Sequence, residues 1–114
     1  MDNCLFCRII AGDIPSTKVY ENDLVYAFRD INPQAPVHVL VVPKKHISSV
    51  AAVDEATDAE LAACLRACRE IAIQEGLGES GFRIVSNAGK DACQSVPHLH
   101  FHILGGTQMA DQMA

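Results

Sequence analysis

No stretch of this 114-residue chain approaches the roughly 20 consecutive apolar residues of a membrane span, which excludes a transmembrane helix. Positive charge is scarce. Nine Lys and Arg stand against fourteen Asp and Glu, for a net charge of −5 and a pI near 5.4. A general nucleic-acid or membrane-surface binder needs the opposite balance, although a local site in an acidic protein can still hold the phosphate of a nucleotide. The N-terminal residues, with acidic Asp2 and Cys4, lack the basic-then-apolar layout of a secretory signal, so the expected location is cytoplasmic. In that compartment the five cysteines are expected as thiols or metal ligands and not as disulfides. Internal repeats and low-complexity segments are also missing. What remains is a chain with 49% hydrophobic and 20% charged residues, expected to form a single domain over 1–114 with one core.

Residues 4–11 form a short apolar segment ended by Gly12 and read as one or two helical turns. Residues 18–21 and 24–29 read as two strands around a turn at Asn22-Asp23. Asn32-Pro33-Gln34-Ala35-Pro36 is an irregular loop, because proline lacks a backbone donor and restricts its predecessor. The β-branched stretch 38–42 reads as a buried strand stopped by Pro43. Thr57 opens the one long helix, and Glu60 three residues later completes a capping box. Leu61, Cys64, Leu65, Cys68, Ile71 and Ala72 mark its expected buried stripe, with Gly76 and Gly78 closing it. Residues 82–86 give another strand, followed by the polar loop 87–95. Strands joined by short loops with helices clustered between them imply an α+β fold around an antiparallel sheet.

The loop leads onto Pro97-His98-Leu99-His100-Phe101-His102-Ile103-Leu104, which holds three of the five histidines in alternation with apolar residues. A period of two is that of a strand, so the three rings are expected on one face and Leu99, Phe101 and Ile103 in a core on the other. Neutral imidazole is a nucleophile, a proton carrier and a metal ligand near pH 7. The preceding loop, Asn87-Ala88-Gly89-Lys90-Asp91-Ala92-Cys93-Gln94-Ser95, offers amides, a hydroxyl and backbone donors suited to an anion. A histidine behind such a loop can attack a bound phosphorus centre without the activating base that Ser95 would need. Separately, Cys4-Leu5-Phe6-Cys7 has the spacing of a zinc half-site. A redox pair or two packed cysteines are the other readings, but a thioredoxin-like pair wants a βαβ context that this chain lacks. Cys64 and Cys68, four apart on the apolar stripe, read as core residues.

The string from His98 to Leu104 matches the His-apolar-His-apolar-His-apolar-apolar signature, and the chain closely resembles the histidine triad (HIT) superfamily, in particular its Hint branch of nucleoside phosphoramidases. Asp30-Ile31-Asn32-Pro33-Gln34-Ala35-Pro36-Val37-His38, Val41-Val42-Pro43-Lys44-Lys45-His46-Ile47, Gln94-Ser95-Val96 and Leu104-Gly105-Gly106 extend the resemblance over nearly the whole chain, residues 4–109. The resemblance implies a HIT-like fold: a five-stranded antiparallel sheet with one long and one short helix, and sheets joined across a homodimer. It implies that His100 is the nucleophile, forming a covalent nucleotidyl-imidazole that water hydrolyses. His102 then steadies the phosphate, Ser95 contacts the leaving group and helps protonate it, and His38 supports the triad. Asp30 binds ribose hydroxyls. Phe6, Ile9, Ile14, Phe28 and Ile31 form the slot for the base, and Asn87, Gln94 and the backbone at Cys93 lie along the phosphate.

Bacterial relatives that begin Cys-x-x-Cys complete a tetrahedral structural zinc with two histidines, and the matching ligands are Cys4, Cys7, His46 and His98. Residues 1–12 would then be a zinc-clip segment holding the chain against the sheet. The implied reaction is hydrolysis of nucleoside 5′-phosphoramidates such as adenosine phosphoramidate, giving a purine nucleotide such as AMP. Two departures stand out. Cys93 occupies a position usually held by glycine, where a side chain could narrow the phosphate site or force a different backbone angle. The tail 107–114 lacks the tryptophan and prolines of the best-known Hint tails, so leaving-group preference does not transfer. The rivals are a dinucleoside polyphosphate hydrolase, disfavoured by Gln94-Ser95 and Gly105-Gly106, and a nucleotide- or zinc-binding interaction module with little turnover. The nucleotidylyltransferase branch usually carries glutamine where this chain has His102.

Overall fold

Thr57 and Glu60 form the capping box that their spacing predicts. The Glu60 N–H donates to the Thr57 hydroxyl at 3.1 Å and the Thr57 N–H to the Glu60 carboxylate at 2.8 Å, starting the long helix α2 (Asp58–Gln74). Gly76 ends it in the left-handed region at φ +79°, with the Gly76 N–H on the Ile73 carbonyl and the Leu77 N–H on the Ala72 carbonyl. This is a computed structural model, and it describes residues 3–112. The expectations placed on residues 1 and 2 of the 1–12 segment, and on the last two positions of the 107–114 tail, lie outside the described residues.

A short helix α1 (Leu5–Ile10) precedes β1 (Lys18–Glu21), β2 (Val25–Arg29), β3 (Val37–Pro43), α2, β4 (Phe82–Val85) and β5 (Phe101–Gly105). The hairpin between β1 and β2 turns on Asn22, whose side-chain oxygen accepts from the N–H groups of Leu24 and Val25. All strand pairs are antiparallel in the order β1-β2-β3-β5-β4, so the α+β class and five-stranded sheet hold. The helical content exceeds one long and one short helix, because two 3₁₀ turns lie at Val50–Glu55 and Lys90–Ala92. The first is nucleated by the Ser49 hydroxyl, which accepts from the Ala51 N–H at 3.1 Å.

Alternation along the strands gives the sheet two apolar faces. Val25, Ala27, Val39, Val41 and Ile103 pack against Cys64, Ala67, Cys68, Ile71 and Ala72 of α2. Phe28, Leu40 and Val42 on the other face pack against Cys4, Phe6 and Ile9 of the N-terminal segment. Small residues carry much of the α2 contact and let the helix lie close to the sheet. The expected stripe needs correcting on that account: Ala67 is buried, while Leu65 is 57% exposed on the far side and Leu61 only half-buried. Gly105 serves the same close approach, since a Cβ there would lie 2.6 Å from Leu77 Cδ1.

The histidine row is not one continuous strand. Regular pairing begins only at Phe101, whose partner is Val41. Pro97 has no N–H, the His98 N–H is taken by the Val96 carbonyl, and the Leu99 N–H goes to the Ile47 carbonyl at 2.6 Å. The main-chain groups of residues 97–99 are thus spent locally or on the chain that follows β3. Leu99 and Ile103 are buried as expected, and Phe101 is half-buried against the α2 core.

Candidate active site and metal centre

Three segments distant in sequence bring Cys4, Cys7, His46 and His98 together. The Cys4 thiol caps α1 by accepting from the Cys7 N–H, which sets both sulfurs on one side of the first helical turn. Cys4 Sγ lies 3.4 Å and Cys7 Sγ 3.5 Å from His98 Nδ1, and Cys7 Sγ lies 3.3 Å from His46 Nδ1. All four ligand atoms fall within 4.8 Å of one another. A tetrahedral zinc with ordinary bond lengths sets sulfur–nitrogen edges of about 3.6 Å, so the donor set and its dimensions fit that ion. The Nε2–H of His98 donates to the Pro43 carbonyl at 2.9 Å, leaving Nδ1 as the free lone pair facing the sulfurs. Burial pushes the Cys7 thiol up to about 11, helped by its hydrogen bond with Cys4, and pushes His98 down to about 4.

His98 also fixes the next histidine. His100, 3% exposed, donates its Nδ1–H to the His98 carbonyl at 2.7 Å, which leaves Nε2 as the unprotonated nitrogen. The Ser86 hydroxyl donates to the His100 carbonyl at 2.7 Å and holds the backbone at this point. Sequence reading missed Ser86, whose only signal was its place at the end of the strand expected over residues 82–86.

A second chain of hydrogen bonds sets the remaining tautomers. The Gln34 N–H donates to His38 Nδ1 at 3.0 Å, so the His38 proton is on Nε2, which donates to His102 Nδ1 at 2.9 Å. His102 therefore carries its own proton on Nε2. Asp30 Oδ2 stands 3.5 Å from His38 Nε2, while its Oδ1 accepts from the Asn32 N–H at 2.8 Å. Burial first, then neighbouring His100, pushes His102 down to about 4. Burial likewise lowers His38, with Asp30 opposing it. Both rings are neutral at pH 7, as a relay of this kind requires.

A cavity of about 300 Å³ lies on the side of the sheet covered by Phe6, and His38, His100, His102, Asn87, Cys93 and Gln94 are not among the residues that line it. Phe6, Ile9, Ile14, Phe28, Asp30, Ile31 and Ser95 line it, which gathers seven of the residues singled out from sequence in one place. Ile31 stands at the rim, 91% exposed. Phe6 also packs on His100, with ring centroids 5.0 Å apart, and His100 in turn on His102 at 5.1 Å.

The loop over residues 87–95 is braced by its own side chains. Asn87 donates to the Ala92 carbonyl, and the Gln94 amide accepts from the Gly89 N–H while donating to the carbonyls of Ser48 and Val96. The two amides thus shape the loop's backbone. Cys93 is exposed and takes the left-handed conformation at φ +59°, so the sulfhydryl residue keeps a backbone angle that suits glycine.

The HIT domain family matches residues 11–109. A 14 kDa zinc-binding protein from Zea mays is 49% identical over 107 residues, covering 92% of this chain and 83% of its own length. The purine nucleoside phosphoramidase of Escherichia coli is 40% identical over 113 residues, covering 99% and 95%. In structure, a HIT family hydrolase from Clostridium thermocellum superposes with a TM-score of 0.96 at 43% identity, over 100% of this chain and 99% of that one. Of the metal cluster, Cys4 and Cys7 lie before the matched family segment, while His46 and His98 lie within it.

Proposed function

This chain belongs to the HIT domain family, and from that premise we propose that it hydrolyses purine nucleoside 5′-phosphoramidates, with His100 as nucleophile. One observation carries the reading: the His100 Nδ1–H is committed to the His98 carbonyl, so Nε2 keeps a free lone pair on a ring that packs on Phe6, a wall residue of a cavity sized for a nucleoside. In the first step Nε2 bonds to phosphorus as the phosphorus–nitrogen bond to the amine breaks, and the departing amine takes a proton, with Ser95 helping to deliver it. In the second step water bonds to phosphorus and gives up one proton, replacing the one that left with the amine, as the phosphorus–Nε2 bond breaks and the nucleotide leaves with neutral His100 restored. The Nε2–H of His102, held in place by His38, donates to the phosphate oxygens as charge builds on them. Asp30 receives the ribose hydroxyls, and Phe6, Ile9, Ile14, Phe28 and Ile31 hold the base. Asn87, Gln94 and the Cys93 backbone order the loop that flanks the phosphate. The phosphoramidase of Escherichia coli supports this substrate class by its similarity.

Cys4, Cys7, His46 and His98 would hold one zinc ion, which supplies no open position for chemistry and ties the N-terminal segment to the sheet. The zinc-binding protein of Zea mays supports this assignment. A homodimer joined through β4 is part of the same reading. That strand ends the sheet and exposes Phe82 and Ile84, whereas the opposite edge, β1, carries Lys18 and Glu21. No helix among the described residues is long and apolar enough to cross a membrane; a cytoplasmic location belongs to the same proposal.

The test is incubation of the wild type and His100→Ala with adenosine 5′-phosphoramidate, following AMP and ammonia. The wild type is expected to turn over and the variant to lose at least about a thousandfold in kcat. Equal or absent turnover in both overturns the assignment. Faster release of AMP from a diadenosine polyphosphate would favour the rival hydrolase, and nucleotide binding without any product would favour an interaction module.

A further inference from the structure

Phe6 lies between the two cysteines of the Cys4-Leu5-Phe6-Cys7 turn and is 4% exposed. Its ring meets Phe28 at 5.4 Å, His98 at 5.9 Å and His100 at 5.0 Å, the last perpendicular at 89°. Among the described aromatic side chains it is the one that packs on both the candidate metal ligand His98 and the candidate nucleophile His100. The His100 ring is tethered at Nδ1 by its bond to the His98 carbonyl. One tether leaves the swing of the ring about that bond to packing, because an imidazole torsion has only broad minima of its own. Phe6 supplies that packing on one side and His102 on another. The place of Phe6 is in turn fixed at both ends: Cys4 Sγ accepts from the Cys7 N–H, and both sulfurs reach His98.

We propose that Phe6 is a positioning residue for His100, held by the Cys4–Cys7 clamp, and that it sets the direction in which Nε2 meets phosphorus. This goes beyond the place of Phe6 in the cavity wall, since a wall residue contributes to binding and a positioning residue to the chemical step. It rests on the reading of His100 as the nucleophile.

Phe6→Leu removes the edge-to-face contact and keeps an apolar side chain. The expected result is a fall in kcat of roughly three- to tenfold, the size of one such aromatic pair, exceeding any rise in KM. A second readout needs no substrate. The His100 Nδ1–H resonance, followed by NMR in ¹⁵N-labelled protein, should exchange with water faster in Phe6→Leu than in the wild type. Cys7→Ser, which loosens the clamp without altering a cavity-lining residue, should quicken the same exchange. Phe6→Tyr restores the ring, and with it kcat and slow exchange. Ile9→Val, a change to the wall on a residue outside these ring contacts, is expected to raise KM alone. If Phe6→Leu fails to fold by circular dichroism, Phe6→Met, whose flexible side chain fills the site, takes its place. Unchanged kcat and exchange in the folded variant overturn the proposal, even if KM rises, and unchanged exchange in Cys7→Ser overturns the clamp. Wild-type turnover in His100→Ala sinks the nucleophile reading by itself, while the exchange measurement still reports whether Phe6 orients the ring.

Discussion

His98 joins two centres through different atoms: its carbonyl accepts the Nδ1–H of His100 at 2.7 Å, while its own Nδ1 stands 3.4 Å from Cys4 Sγ. A metal that fixes the His98 ring therefore restrains the backbone on which His100, the proposed nucleophile, leans. The arrangement also explains why His98 cannot share the chemistry of the other two. Its Nε2 is committed to Pro43 and its Nδ1 to the sulfurs, so no atom of the ring is left for substrate.

Metal content gives the first prediction. Purified protein is expected to carry close to one zinc per chain, and Cys7→Ser much less. Chelation should lower Tm, because an ion bound only by the folded state stabilises it. The Cys7 thiol, pushed up to about 11 by burial, is protonated at neutral pH before metal binds. Zinc uptake must then release protons, and affinity should rise with pH through the neutral range. A calorimetric titration in buffers of different ionisation enthalpy would show the release; zinc content near zero in protein with intact thiols would remove the site.

Asp30 provides a test of nucleoside recognition. Its Oδ1 is occupied by the Asn32 N–H, leaving Oδ2, near His38, to receive a hydroxyl. Asp30→Asn keeps the turn and loses the charge, so KM for a ribonucleoside substrate should rise roughly tenfold, the worth of a hydrogen bond to a charged acceptor. Discrimination against the 2′-deoxy analogue should shrink in the same variant. Preserved discrimination would show that the ribose is read elsewhere.

The pH dependence of stability of the metal-free protein follows from His98, His102 and His38, all lowered by burial, His98 and His102 to about 4. In the unfolded chain they titrate near 6.5. Between pH 6.5 and about 4 the unfolded state therefore binds more protons than the folded one, and stability falls as pH drops through that window. Above it the contribution is constant. Tm should decline from pH 6.5 downward, with a shallower decline in His102→Gln, which cannot take up the proton. Parallel slopes in the two proteins would show that other groups dominate.

Much of this molecule was legible in the sequence, and the exceptions have physical causes. Thr57 and Glu60 announced the start of α2 because a capping box acts over three residues and needs no tertiary partner. Phe6, Ile9, Phe28, Asp30 and Ile31, expected around a nucleoside, line one cavity because α1, β2 and the loop after it pack together, whereas Asn87, Cys93, Gln94, His100 and His102 do not line it. The start of β5 was misplaced because alternation shows where side chains point, not where main-chain hydrogen bonds go. Those around His98 and Leu99 are decided by Pro97, Val96 and Ile47. Leu65 was misjudged because helical spacing alone does not say how far round the buried stripe extends.

Cys93 makes a prediction about the loop. A non-glycine residue at φ +59° bears a cost of roughly 1–2 kcal/mol, partly offset because glycine loses more freedom on folding. Cys93→Gly should thus stabilise the protein by up to about 1 kcal/mol, while Cys93→Ala should be near neutral. Urea unfolding distinguishes the two. Equal stability of all three proteins would mean that the loop relaxes freely.

Gly105 and Gly106 follow the histidine row directly, and the two glycines answer different demands. Gly106 sits at φ +92°, where a side chain is strained whatever the space. Gly105 has ordinary backbone angles, and its constraint is contact: a Cβ would lie 2.6 and 3.0 Å from the two methyl carbons of Leu77, itself 3% exposed. Leu77 follows the glycine that ends α2, so it has little room to retreat without disturbing the end of that helix. Gly105→Ala should therefore destabilise by about 1–3 kcal/mol, the usual cost of overpacking. The double change Gly105→Ala with Leu77→Val should recover part of it, because the shorter side chain leaves space for the added methyl. Additive losses in the double variant, measured by urea unfolding, would place the strain in the β5 backbone and not at this contact.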